Sequence, residues 1–147
     1  MPKERAGVLV VRSGRLALIE RWKNGRHYWV VPGGGVEAGE TIAQAAQREA
    51  EEELGVPVEL GALRVRLDHC KADGSIQRQW YFDASVSTDD IRIVGPEADR
   101  MDASIYRAVW VDLAEIDAAA VLPSVVATLV ILNEGNWVGP IVEIDER

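Results

Sequence analysis

The chain has a single cysteine, Cys70, in 147 residues, so no internal disulfide can form and no thiolate cluster can hold a metal. Histidine is nearly as scarce. His27 and His69 are the only two and stand far apart, which leaves out the spacings of nitrogen- and sulfur-ligated zinc sites. No apolar run approaches the roughly 20 residues that span a bilayer. The opening Met1, Pro2, Lys3, Glu4, Arg5 is not signal-like, so the expectation is a cytoplasmic protein with no membrane partner. Positive charge is also in deficit, with 16 Lys and Arg against 24 Asp and Glu and a net charge of −8. That balance argues against broad binding to nucleic acid or anionic membranes. Neither internal repeats nor low-complexity segments occur.

What the chain does have is apolar content of 48%, enough over 147 residues for one core and too little for two ordinary ones. A single domain over residues 1–147 is expected. Cys70 reads as a small buried or half-buried side chain, and His27 as part of a turn or a pocket rim. Arg5, Arg21, Lys23, Arg26 and Arg64 are available to make local positive spots.

Periodicity and turn residues divide the chain into strands around two helices. Residues 6–11 and 16–21 flank Ser13 and Gly14 as a hairpin, and Asn24 with Gly25 turns the chain toward a third strand at 28–31. Residues 58–67 and 77–86 read as a second hairpin about Asp73 and Gly74, and 106–111 as a further strand. A short helix is expected over 113–120. A longer one is expected over 124–133, capped by Ser124 after Pro123 and stopped by Gly135, before a short strand at 141–144. Residues 87–90 and 95–104 read as the flexible connections, the second facing substrate or simply joining strands. This order predicts a mixed sheet between helical layers.

The segment with the most chemistry runs from Gly34 to Val56. Thr41 and Gln44 have the spacing of a capping box, and Gly55 stands where a left-handed residue ends a helix. At about 100° per residue, Glu49, Glu52 and Glu53 fall within an arc of roughly 100° that merges with the stripe of Ile42, Ala46 and Ala50. Glu51 points nearly opposite and reads as a solubilising acid, with Gln47 also toward water. The plain alternative is a solvated acidic face. Against it, like charges one turn apart repel by about 0.2–0.5 kcal/mol per pair, and carboxylates late in a helix oppose its dipole. A divalent cation converts that repulsion into affinity. All-oxygen donors favour magnesium or manganese, and glycines before the helix permit close approach of a phosphate.

Gly34, five residues, Glu40, seven residues, then Arg48, Glu49, Ala50, Glu51, Glu52, Glu53, Leu54, Gly55 and Val56 together resemble the signature of the Nudix hydrolases. Trp29, Val30, Val31, Pro32 and Gly33 also look like that family's approach to its motif. One departure is Ala50, where the family usually has a larger aliphatic residue. The resemblance implies an α/β/α sandwich with a mixed β-sheet. It implies that Glu49, Glu52 and Glu53 bind divalent ions, Mg2+ or Mn2+, with the Gly33 carbonyl as a further ligand, and that Arg48 orients the glutamates. Glu40 is expected to support the loop or the water shell around the ion, or else to stabilise the helix dipole. The catalytic set it implies is Arg48, Glu52 and Glu53, with Glu52 or Glu53 helping to activate water. Glu97, outside the motif, is a candidate base or an ordinary loop acid.

The activity implied is metal-dependent hydrolysis of the diphosphate linkage in a nucleoside diphosphate derivative, a nucleotide-type small molecule. A (deoxy)nucleoside triphosphate or oxidised nucleotide comes first because the chain is close to a minimal domain, with ADP-ribose or a nucleotide sugar as the rival. The alternative of another class is a non-catalytic nucleotide-sensing module. Trp29 is expected beneath the glycine loop, and Trp80 and Phe82 on one strand face with Tyr81 on the other. The apolar stretch 125–132 suits a core or a homodimer surface, and the resemblance leans to a dimer.

Overall fold

The structure, a computed structural model, describes residues 3–92 and 105–146. Glu97 and the 95–104 connection lie outside the described residues. Two tight turns set the first half of the sheet. Ser13 and Gly14 (φ 54° and 73°) join β1 (Glu4–Arg12) to β2 (Arg15–Lys23), and Asn24 and Gly25 (φ 53° and 76°) join β2 to β3 (Arg26–Val30). Successive positive φ values give the turn twist that matches paired strands, and glycine takes the second position without a Cβ clash.

Beyond the hairpins come β4 (Gly33–Gly35), α1 (Ile42–Leu54), β5 (Glu59–Cys70), β6 (Ile76–Ser85), β7 (Ile105–Asp112), β8 (Val121–Leu122), α2 (Ser124–Asn133) and β9 (Val142–Glu146). The strand order is β8-β3-β2-β1-β6-β5-β9, with β4 pairing β1 and β7 pairing β2. Pairings β1–β6, β5–β9 and β3–β8 are parallel and the others antiparallel, so the sheet is mixed, as expected. β1 is registered with β2 at Val11↔Leu16 and Arg12↔Arg15, and otherwise pairs with β4 on one side and β6 on the other.

Side chains of β1 alternate between two cores. Val8 and Val10 join Ala45, Ala46, Ala50 and Leu54 of α1, whereas Leu9 joins Val126, Ala127 and Val130 of α2. That alternation places a helix on each face, giving the α/β/α sandwich. Ala45, Ala46 and Ala50 of α1 are fully buried, and their small size lets the helix lie close to the sheet. Tyr81 belongs to the α2 core and Phe82 to the α1 core, the opposite faces predicted for them.

α1 has the predicted caps: Thr41 Oγ1 accepts from Gln44 N at 3.1 Å, the Gln44 side chain accepts from Thr41 N at 2.9 Å, and Gly55 is left-handed at φ 71°. Several expectations need correction. Glu51 is half-buried rather than solvated, because its carboxylate accepts from Val58 N at 3.0 Å and Gln47 Nε2 at 2.8 Å, tying the returning chain to the helix. Pro123, not Ser124, is the cap residue of α2, and it offers no side-chain hydrogen bond. The helix ends on Glu134, left-handed at φ 53°, one residue before Gly135. The helix expected over 113–120 shrinks to one 3-10 turn, Ala118–Ala120. Cys70 is exposed. His27 lies within β3, its ring between Trp22 and Trp29 and its Nε2 2.7 Å from Glu20 Oε2. The 87–90 connection is tied down by Asp89, whose carboxylate accepts from Arg12 Nε at 2.7 Å and whose carbonyl accepts from Trp110 Nε1 at 2.8 Å. Among the described residues no helix is long and apolar enough to cross a membrane.

Candidate active site

The glycine segment and α1 meet because β4 pairs antiparallel with β1, bringing Gly33 opposite Gly7 and Gly34 opposite Ala6. There is no room for side chains at this junction. A Cβ on Gly34 would run into the Glu49 carboxylate, and one on Gly33 would stand 2.7 Å from the Ala6 carbonyl oxygen. At Gly33 glycine is required by close backbone approach, not by turn geometry, and at Gly34 a methyl group would displace the Glu49 carboxylate.

Arg48 joins the loop to the helix. Its Nε and Nη2 donate to the two carboxylate oxygens of Glu40 at 2.7 and 2.9 Å, a bidentate pair. Nη2 also donates to the Gly35 carbonyl at 3.1 Å, Nη1 donates to Glu49 Oε1 at 2.8 Å, and Glu52 Oε1 lies 3.8 Å from Nη1. The hydrogen bonds from Arg48, followed by one from Glu37 N, hold the Glu40 carboxyl down to about 2. Glu40 thus fixes Arg48 and the loop entering the helix.

Glu53 sits at the buried end of the cluster, 9% exposed. Burial first, and then the neighbouring Glu49 charge, push its carboxyl up to about 8, against the opposing pull of a Gly33 backbone hydrogen bond and the Arg5 charge. The Glu49 carboxylate stands close enough to Glu53 to add to that upward shift. Glu52 points outward, its side chain 58% exposed. Among the described residues no group of three acidic, histidine or cysteine side chains stands ready-made around one cation position. The donor set nonetheless fits a hard divalent cation: two adjoining carboxylates crowded enough to retain a proton, a glycine cradle cleared of Cβ atoms, and a third carboxylate one turn away.

Besides Arg48, Arg5 reaches this cluster, with Nη2 3.4 Å from the Gly33 carbonyl, whereas Arg64 is paired with Asp83 at 2.6 Å. Trp29 packs with the α2 core and against His27. Beside Gly33 and Gly34 opens a cavity of about 580 Å3, also lined by Arg5, Gln77, Gln79 and Tyr81. Sequence reasoning passed over the two glutamines. Their signal was period-two alternation on β6, which places Gln77, Gln79 and Tyr81 on one face of the strand.

The family model of the NUDIX domain matches residues 1–129. No curated protein sequence matches the chain. Among solved structures, the chain is similar to a MutT NUDIX hydrolase from Burkholderia pseudomallei, with 27% identity over 86% of this chain and 95% of that one, at a TM-score of 0.68. A NUDIX hydrolase from Nitrosomonas europaea matches with 21% identity over 99% and 80% of the two chains, at a TM-score of 0.75. An ADP-ribose pyrophosphatase from Streptococcus suis 89-1591 matches with 13% identity over 99% and 100%, at a TM-score of 0.69. These last two speak for the fold. With the family model covering most of its length and every charged position of the motif filled, the chain belongs to the NUDIX domain family and is a Nudix pyrophosphohydrolase.

Proposed function

We propose that the protein hydrolyses the diphosphate linkage of a (deoxy)nucleoside triphosphate or oxidised nucleotide, using Mg2+ or Mn2+. The observation that carries this reading is the contact of Glu49 with Glu53 beneath the cleared face of Gly34, at the edge of a cavity large enough for a nucleoside. Glu49, Glu52, Glu53 and the Gly33 carbonyl would hold the divalent ion. When bound, that ion supplies positive charge to the diphosphate oxygens and lowers the pKa of the attacking water.

The chain's own residues do the remaining work. Arg48, fixed by Glu40, holds Glu49 in place. Arg5 sets a cation where the Glu53 carboxylate and an incoming phosphate compete for it. A carboxylate takes the proton of the attacking water, a contribution of about 10²–10⁴-fold, with Glu52 or Glu53 the proposed base and Glu97 the candidate from outside the motif. We also assign residues 1–147 to one domain. A homodimer is proposed on the apolar residues Leu132 and Val138, 76% and 90% exposed.

The test is release of nucleoside monophosphate from a panel of nucleoside triphosphates, oxidised nucleotides, ADP-ribose and nucleotide sugars, with Mg2+ or Mn2+. Triphosphate turnover abolished by chelator and by Glu53→Gln is expected. Turnover of ADP-ribose or nucleotide sugars alone would overturn the substrate class, and binding without turnover would point to a sensing module.

A further inference from the structure

The cavity beside Gly33 and Gly34 has apolar walls from Val31, Leu67, Leu122 and Pro123. Its polar wall is a directed chain on β6. The Tyr81 hydroxyl donates to Gln79 Oε1 at 2.6 Å, and Gln79 Nε2 donates to Gln77 Oε1 at 2.9 Å. The buried end sets the direction. Tyr81 is 5% exposed, and burial pushes its phenol above the usual range, so the hydroxyl keeps its proton and needs an acceptor. Turning both amides over would leave that buried proton facing none.

The open end of the chain is consequently the NH2 group of Gln77, which has no partner among the described residues. Arg5 and Lys71 bring further donors to the same cavity. The acidic group on its lining, Glu146, is already 3.4 Å from His69 Nδ1. A slot with apolar walls and donors at its polar end suits a flat ring that presents acceptors.

We propose that this cavity binds the nucleobase of the substrate and selects the 6-keto edge of guanine or the 4-keto edge of uracil over the amino edges of adenine and cytosine, with Gln77 as the specificity-determining residue. This deepens the nucleotide hydrolase reading and rests on it for the class of ligand. Tyr81 acts through Gln79 and is a positioning residue.

The test separates binding from turnover. Affinities for GMP, UMP, AMP and CMP are measured by calorimetry with a chelator present, for the wild type, Gln77→Glu and Tyr81→Phe. Gln77→Glu retains an acceptor for Gln79 Nε2 but replaces the open NH2 with a carboxylate oxygen. The wild type is expected to prefer the keto member of each pair by about tenfold, the scale of a good base-edge contact. Gln77→Glu should abolish or reverse that preference. Tyr81→Phe, which frees both amides to turn, should flatten it without reversal; if that variant fails to fold, Gln77→Glu still decides. Equal affinities in the wild type, no binding of any of the four, or an unchanged preference in Gln77→Glu would overturn the assignment. Keto-selective binding with no hydrolysis of any nucleotide would sink the hydrolase reading and leave the base assignment standing.

Discussion

Glu53 is the residue of the proposed cation site whose charge is most strongly disfavoured by burial. Its folded value of about 8 lies above the ordinary carboxylate value of 4.5, so between those values the native state holds a proton that the unfolded chain has released. Stability of the chelated protein should therefore fall as pH rises from about 4.5 to about 8, by roughly 2–4 kcal/mol, and then level off. Denaturant titrations at pH 5 and 8.5 measure this; Glu53→Gln should flatten the dependence, and an unchanged slope in that variant would assign it elsewhere. Gly34→Ala should disable turnover by driving a methyl group into the Glu49 carboxylate, lowering affinity for Mn2+ as well. Undiminished Mn2+ affinity in that variant, read by calorimetry, would contradict the cradle. The motif residues were legible because their spacing is local, whereas Glu51 was misread because its partner Val58 returns only after the Gly55 turn. No helical projection contains that contact.

At the level of elements, α1 is held by its caps as well as by its buried face. Thr41→Ala should cost about 1 kcal/mol, since it removes one half of a reciprocal pair of hydrogen bonds. Gly55→Ala should cost about 1–2 kcal/mol by forcing a side chain into the left-handed region at φ 71°. Midpoints of urea unfolding measure both, and the Thr41 loss should be absent if the cap is dispensable. The hairpins could be read because Ser-Gly and Asn-Gly turns mark them within a few residues. β4 could not, since three glycines have no strand preference and the segment is a strand only because β1 offers it an edge. β8, two residues long, is similarly fixed by its neighbour β3. α2 was found over its full span, 124–133, by its apolar run, but its caps were misassigned, because packing of Val126, Ala127 and Val130 holds it without a side-chain cap.

For the whole molecule, the layered architecture was legible from the order of elements and the family motif, while the strand order and the substrate cavity depend on long-range pairing. The proposed homodimer should appear in light scattering at twice the mass of the chain, and Leu132→Glu should return it to a monomer; a monomer in the wild type would remove the proposal. β1 is the first strand along the chain, yet it lies mid-sheet and is buried on both sides. Its parallel partner β6 begins at Ile76, after α1 and β5. During synthesis, β1 must wait through some seventy further residues before its longest pairing can form, with an apolar edge uncovered meanwhile. Refolding should accordingly be slow for a chain of this size, and fragments ending before β6 should aggregate and not fold in isolation.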